Sequence, residues 1–196
     1  MPAVVGRVVR CSRRAGAVCL LAVVAIWPAA AAEPAPVGEH ELKAAFLPKF
    51  PLFVQWPSGA FKAPGDPLVI GILGDASFAG HAEHAVAGKV IGGRALSVQV
   101  CRDAAEARRC HIVFILGDDP KATEETLRDL AGSSVLTISD APNFASQGGM
   151  VNLVTANKRV RLEVNLEAIQ RAELRMDPQL LQMAKAVKTS ARKTKP

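Results

Sequence analysis

The sequence predicts an α/β domain in three layers: a mostly parallel sheet of about five or six strands, flanking helices, and a C-terminal antiparallel hairpin. Three observations carry this. Short apolar runs bounded by turn residues, such as "LVIGILG" at 68–74, read as strands buried on both faces. Helical segments separate these runs, and strand–helix alternation is the pattern of a parallel sheet. "MVNLVTANKRVRLEVNL" then breaks the alternation and reads as a hairpin turning at Ala156-Asn157-Lys158. Its second arm, residues 159–165, alternates polar and apolar without exception, which suits a strand with one wet face near the sheet edge.

The elements follow in order. Residues 39–55 read as a helix, although Pro48 and Pro51 fall inside it, where proline removes a hydrogen bond and clashes with the preceding turn. The helix therefore kinks or breaks there, into two short segments. "WPSGAFKAPGDP" is loop. After the first strand, "ASFAGHAEHAVAG" is a helix ending at Gly88. "IGGR" turns the chain into a second strand, "ALSVQV"; "DAAEARR" is a short helix; "HIVFIL" is a third strand. Asp118, Asp119 and Pro120 open the next helix, which runs to Leu130, because an aspartate cap with proline in the first turn is a start signal. "SVLTIS" is the fourth strand. Two helices close the chain, the last starting at Asp177-Pro178 with Leu180, Met183, Ala184 and Val187 along one side. No internal repeat or second domain is visible. The domain spans residues 39–188, after a linker at 33–38 and before a basic tail at 189–196.

The N-terminus indicates the compartment. Arg7, Arg10, Arg13 and Arg14 precede the apolar run "AGAVCLLAVVAIWPAAAA", the order of a secretory signal peptide over residues 1–32, with cleavage near Ala32. The apolar core is short for a spanning helix. The mature chain of about 164 residues is expected to be exported and soluble, with a length suited to one domain. The formal charge of +6 falls to +2 without the four signal arginines, and to −3 without the five basic residues of the last twelve. The basic character lies at the ends, so no nucleic-acid footprint is expected on the domain. Cys11 and Cys19 leave with the signal, and Cys101 and Cys110 remain as a candidate disulfide. If Cys101 ends one parallel strand and Cys110 starts the next, ideal geometry puts them at opposite ends of the sheet, although the eight-residue connection is short. A bridge and a pair of buried thiols both stay open.

Residues that could do chemistry are few. His81 and His84 in "HAEH" share a helix face but lack a third ligand, so no metal site is expected. Ser190 and Lys193 have nucleophile-motif spacing but lie in the tail. "GILGDAS" lacks the phosphate-loop lysine and the dinucleotide glycine pattern, so no cofactor is expected. Asp75, an N-cap by position, and Asp140, at the carboxyl end of a parallel strand, mark a candidate ligand crevice. Gly148 and Gly149 supply a tight turn into the hairpin. These residues do not point to an enzyme. Four of the nine aromatic residues, Phe46, Phe50, Phe53 and Trp56, share one side of the opening helix. They either pack on the sheet or stay partly exposed as a partner surface.

Taken in order, "LKAAFLPKFPLFVQWP", "PLVIGILGDASF", "IGGRALSVQV", "ARRCHIVFI", "VLTISDAPNFASQGGMVNLV" and "NKRVRLEVNLEAIQRAELRMDPQLLQMAKAV" resemble the YfiR family of exported regulatory proteins across nearly all of the mature chain. The resemblance implies an α/β domain that often self-associates, so a homodimer is expected. It implies a periplasmic protein that binds the periplasmic sensor domain of a membrane receptor, a diguanylate cyclase, and restrains it. Cyclic-di-GMP output and biofilm behaviour would follow, with release by envelope stress or redox change. A periplasmic small-molecule binding protein, using the crevice near Asp75 and Asp140, is the alternative. The chain departs from the family opening at Lys49, usually Asn, and at Pro48 and Pro51. Some relatives carry cysteines flanking the Gly-Gly-Met turn; Ala145 and Asn152 stand in that neighbourhood here, so thiol control would use Cys101 and Cys110.

Overall fold

The computed structural model describes residues 38–117, 119–156 and 159–186. The expected signal segment, most of the expected linker, Asp118, the expected turn residues Asn157 and Lys158, Val187 and the basic tail with Ser190 and Lys193 lie outside the described residues.

The opening stretch is not one helix. Helix α1 covers Glu39–Ala44, a 3-10 segment covers Leu47–Leu52, and strand β1 covers Val54–Gln55. Pro48 sits in the first turn of the 3-10 segment and Pro51 inside it, which is the physical reason the α-helix cannot continue. A second 3-10 turn, Ser58–Ala60, follows. Strand β2 (Leu68–Leu73) leads to helix α2 (Ala76–Val86), then β3 (Val90–Ile91) and β4 (Arg94–Cys101). Gly92 and Gly93, at φ 58° and 77°, make the two-residue turn of the β3–β4 hairpin. Helix α3 (Ala104–Ala107), β5 (Ile112–Ile115), α4 (Pro120–Asp129) and β6 (Leu136–Ser139) continue the alternation. The antiparallel pair β7 (Val151–Ala156) and β8 (Arg159–Val164) comes next. Helix α5 (Leu166–Arg171), β9 (Arg175–Met176), α6 (Pro178–Met183) and β10 (Lys185–Ala186) close the described chain.

The main sheet runs β10-β8-β7-β6-β5-β2-β4-β3. Strands β4, β2, β5, β6 and β7 are mutually parallel, in register through Ile70 with Val98 and Ile112, Ile112 with Leu136, and Ile138 with Val151. The sheet has six strands of four or more residues, and the two-residue β3 and β10 extend its edges. The last helix ends at Met183, which is 67% exposed, and the chain leaves it to pair with β8. Of the side expected through Leu180, Met183 and Ala184, Leu180 is buried and Ala184 packs against the core, while Met183 faces solvent.

Two cores lie on the two sides of the sheet. One gathers Ile70, Ile72, Phe114, Ile138 and Leu153 with Leu47, Phe50, Phe78 and Ile169 from the segments over them, and Phe78 stacks on Phe114 at 4.4 Å. The other gathers Val113, Ile115, Val135 and Phe144 with Ala107, Leu127 and Leu130. Helices on both faces make the three layers. The helix starts expected from sequence hold. Asp119 accepts from the N–H groups of Lys121 and Ala122, and Asp177 accepts from that of Gln179. A separate two-stranded sheet pairs β1 with β9, Val54 opposite Met176, and so ties the opening segment to the end of the fold.

Candidate functional site

The parallel strands follow the order second, first, third, fourth, fifth, so the winding reverses between β2 and β5. In such a sheet the ligand crevice lies beyond the carboxyl ends of those strands. The chain turns tightly there. Gly74 has φ 120°, and a Cβ on it would stand 3.1 Å from Leu116; a Cβ on Gly117 would stand 2.5 Å from the Ala141 backbone. Asp140 follows β6 and faces this turn. Its Oδ1 accepts from the Gly117 N–H at 3.1 Å, and its Oδ2 accepts from Lys43 Nζ at 2.7 Å.

Lys43 comes from α1 and has a side chain only 8% exposed. It also pairs with Glu39 Oε1 at 2.7 Å, one helical turn back. Burial disfavours its charge, but hydrogen bonds and attraction from Asp140 and Glu39 outweigh that and raise its pKa. The Lys43 hydrogen bond in turn holds the Glu39 carboxyl below its usual range. The crevice thus carries a cation donated by the chain itself, locked between two carboxylates. Asp75 is not drawn into this network. It is exposed and caps α2 by accepting from Ser77 N–H at 2.7 Å and from the Ser77 hydroxyl, which holds its carboxyl low.

The four aromatic residues share one core rather than one exposed face. Phe50 is 2% exposed, and Phe46, Phe53 and Trp56 are half-buried against the same cluster. What the 3-10 segment turns outward is Leu52, 61% exposed, together with Lys49, whose ammonium lies 4.5 Å over the Phe46 ring. Trp56 donates its indole N–H to the carbonyl of His111 at 3.2 Å.

His111, which sequence reading took only as the start of a strand, holds a second junction. Its Nδ1 accepts from Val69 N–H at 3.1 Å, so the ring proton sits on Nε2 and donates to the Ala60 carbonyl at 3.2 Å. Phe61 stacks on the ring at 4.3 Å, and Arg94 covers the other partner in this stack, 3.7 Å from the Phe61 centroid. Burial holds the imidazole below its usual pKa.

Cys101 and Cys110 are both buried free thiols, with Sγ atoms 3.7 Å apart. The short connection thus brings together two thiols that ideal strand geometry would put at opposite ends of the sheet. They flank β2 from β4 and from the turn before β5, and the position between them is Gly71, where a Cβ would come within 2.9 Å of both sulfurs. The missing side chain lets the two thiols meet. Burial pushes Cys110 up to about 12 and raises Cys101 as well. Gly148 has φ 109°, and a Cβ on Gly149 would stand 2.2 Å from the Phe144 ring, so both glycines serve the shape of the turn. His81 and His84 lie on the exposed side of α2.

Residues 40–185 match the family model described as YfiR/HmsC-like. The chain belongs to that family. YfiR/HmsC-like proteins are periplasmic regulators of diguanylate cyclase systems rather than enzymes. The fold is also similar to the crystal structure of a conserved domain protein from Vibrio cholerae O1 biovar El Tor, with TM-score 0.51 and 12% identity, over 76% of this chain. The chain spans 60% of that structure's length, and the likeness is one of fold. No helix among the described residues is long and apolar enough to cross a membrane.

Proposed function

We propose that this protein is exported by its first 32 residues, binds the periplasmic sensor domain of a membrane receptor, a diguanylate cyclase, and holds that receptor in its inactive state. The observation that carries the reading is the family match over residues 40–185. The filled crevice agrees with it: where a doubly wound domain ordinarily takes a small molecule, Lys43 and Asp140 bond each other. The contact face proposed for the receptor is the 3-10 segment, through Leu52, Lys49 and the outer edge of Phe46, with Phe53 and Trp56 supporting it from the core. Homodimerisation remains part of the proposal.

The test is cellular. Deleting the gene should raise cyclic-di-GMP, and the full chain should restore the low level. A chain lacking residues 1–32 should fail to restore it. An unchanged or lower cyclic-di-GMP level on deletion would contradict restraint.

A further inference from the structure

A cavity of about 260 Å³ lies between α4, α5 and the loop before β7, and it shares no residue with the Lys43–Asp140 network. Its floor is apolar: Leu130, Met150, Ala168 and Ala172 line it, all buried. Two arginines, Arg128 and Arg171, stand at its rim from the two facing helices. Arg171 spends only its Nε on the Glu167 carbonyl, at 3.4 Å, and among the described residues its terminal nitrogens take no partner. Arg128 forms an i,i+4 ion pair with Glu124 at 3.8 Å, and Glu124 also lines the cavity, so a bound carboxylate would share Arg128 with it. Thr137, 3% exposed, adds a hydroxyl that accepts from Met150 N–H at 3.1 Å and keeps its own proton to donate.

The walls are built, not loose. Asn165 is fully buried; its Oδ1 caps α5 at Ala168 N–H and its Nδ2 donates to the Ala145 carbonyl at 2.8 Å, which ties the loop to that helix. Gly149 N–H closes the loop onto the Phe144 carbonyl at 3.0 Å. On the other wall, Arg108 donates to the Asp129 carbonyl and so holds the end of α4. A preformed hollow with an apolar floor and a few convergent polar groups is the ordinary form of a small-ligand site. The volume leaves space for a compact organic molecule.

We infer that this cavity binds a small organic carboxylate with an apolar body. The carboxylate would lie between Arg171 and Arg128, because a guanidinium fork matches its geometry, and the body would lie on Met150 and Ala172. The inference does not depend on the receptor reading.

The purified protein, labelled with nitrogen-15, is titrated with phenylpropanoate, with its neutral amide, and with inorganic phosphate. Phenylpropanoate should shift the amide signals of Thr137, Gly148, Met150 and Ala172 saturably. Binding should be about tenfold weaker for the amide and for Arg171→Gln, whose exposed position leaves the fold intact, and Arg171→Lys should recover part of the loss. Four results would overturn the inference: no saturation by phenylpropanoate, shifts centred elsewhere, equal binding of the amide or of phosphate, or an unchanged affinity in Arg171→Gln.

Discussion

Lys43 Nζ lies 2.7 Å from Asp140 Oδ2, joining two residues ninety-seven positions apart across the crevice at the carboxyl ends of the parallel strands. The pair fastens the opening helix to the sheet. Removing one partner leaves the other charged and poorly solvated. Lys43→Met is expected to cost about 3–5 kcal/mol in urea unfolding, because an uncompensated buried charge is the expensive outcome. The double variant Lys43→Met/Asp140→Asn should recover part of that loss. Glu39→Gln should change stability by less than about 1 kcal/mol, since Glu39 is solvent-facing.

Lys43 was legible but was not singled out. It stands four residues before Leu47 and seven before Phe50, on the stripe that the core buries, and a lysine at such a position needs a carboxylate partner. Asp140 was found from its place after a strand. The strands that read cleanly, β2, β5 and β6, are buried on both faces and need no knowledge of their neighbours. The two-residue strands β1, β9 and β10 were not legible, because Val54 pairs with Met176 only once the whole chain has folded. The closeness of the two cysteines, which the sequence left open, has a local reason. Register does separate Cys101 from Cys110 along β2, but Gly71 has no side chain to keep the sulfurs apart.

The thiol pair carries its own prediction. In the reduced protein, Cys110 should react slowly with alkylating reagents at neutral pH, since its pKa of about 12 leaves almost no thiolate and the sulfur is buried. Mild oxidation should form an intramolecular Cys101–Cys110 disulfide, read by intact mass and by loss of alkylation after unfolding. Gly71→Ala should slow that oxidation, because its Cβ would intrude between the sulfurs.

His111 sets a pH dependence. Its pKa is lowered in the fold, chiefly by burial, while Arg94 opposes its protonation and Asp66 and the Ala60 carbonyl favour it. The unfolded chain, with an ordinary pKa of 6.5, binds the proton more readily than the folded one. The stability from this neutral ring is therefore complete above about pH 6.5 and is lost as pH falls from there through the lower folded value. Urea unfolding across pH should show this slope in the wild type and a flatter one in His111→Gln. Protonating Nδ1 also breaks the bond from Val69 N–H while Nε2 still donates to the Ala60 carbonyl, so the Val69 amide should gain hydrogen exchange over the same range.

The exposed 3-10 segment separates partner binding from folding. Leu52→Asp changes a residue that is mostly in water, so stability should stay within about 0.5 kcal/mol of wild type. Receptor capture should fall at least about tenfold, because an exposed apolar side chain on a contact face is desolvated on binding. Phe50→Ala should instead unfold the domain by about 3–5 kcal/mol, since Phe50 lies in the core.

The most direct measurement is a pull-down of residues 33–196 from solubilised membranes, run with and without reductant, alongside Leu52→Asp. Wild type should recover a receptor with a periplasmic domain and a cyclase output, and Leu52→Asp should lose it. Binding in only the reduced or only the oxidised sample would make Cys101 and Cys110 the switch. Recovery of no such receptor in either state would contradict restraint of a membrane cyclase by this protein.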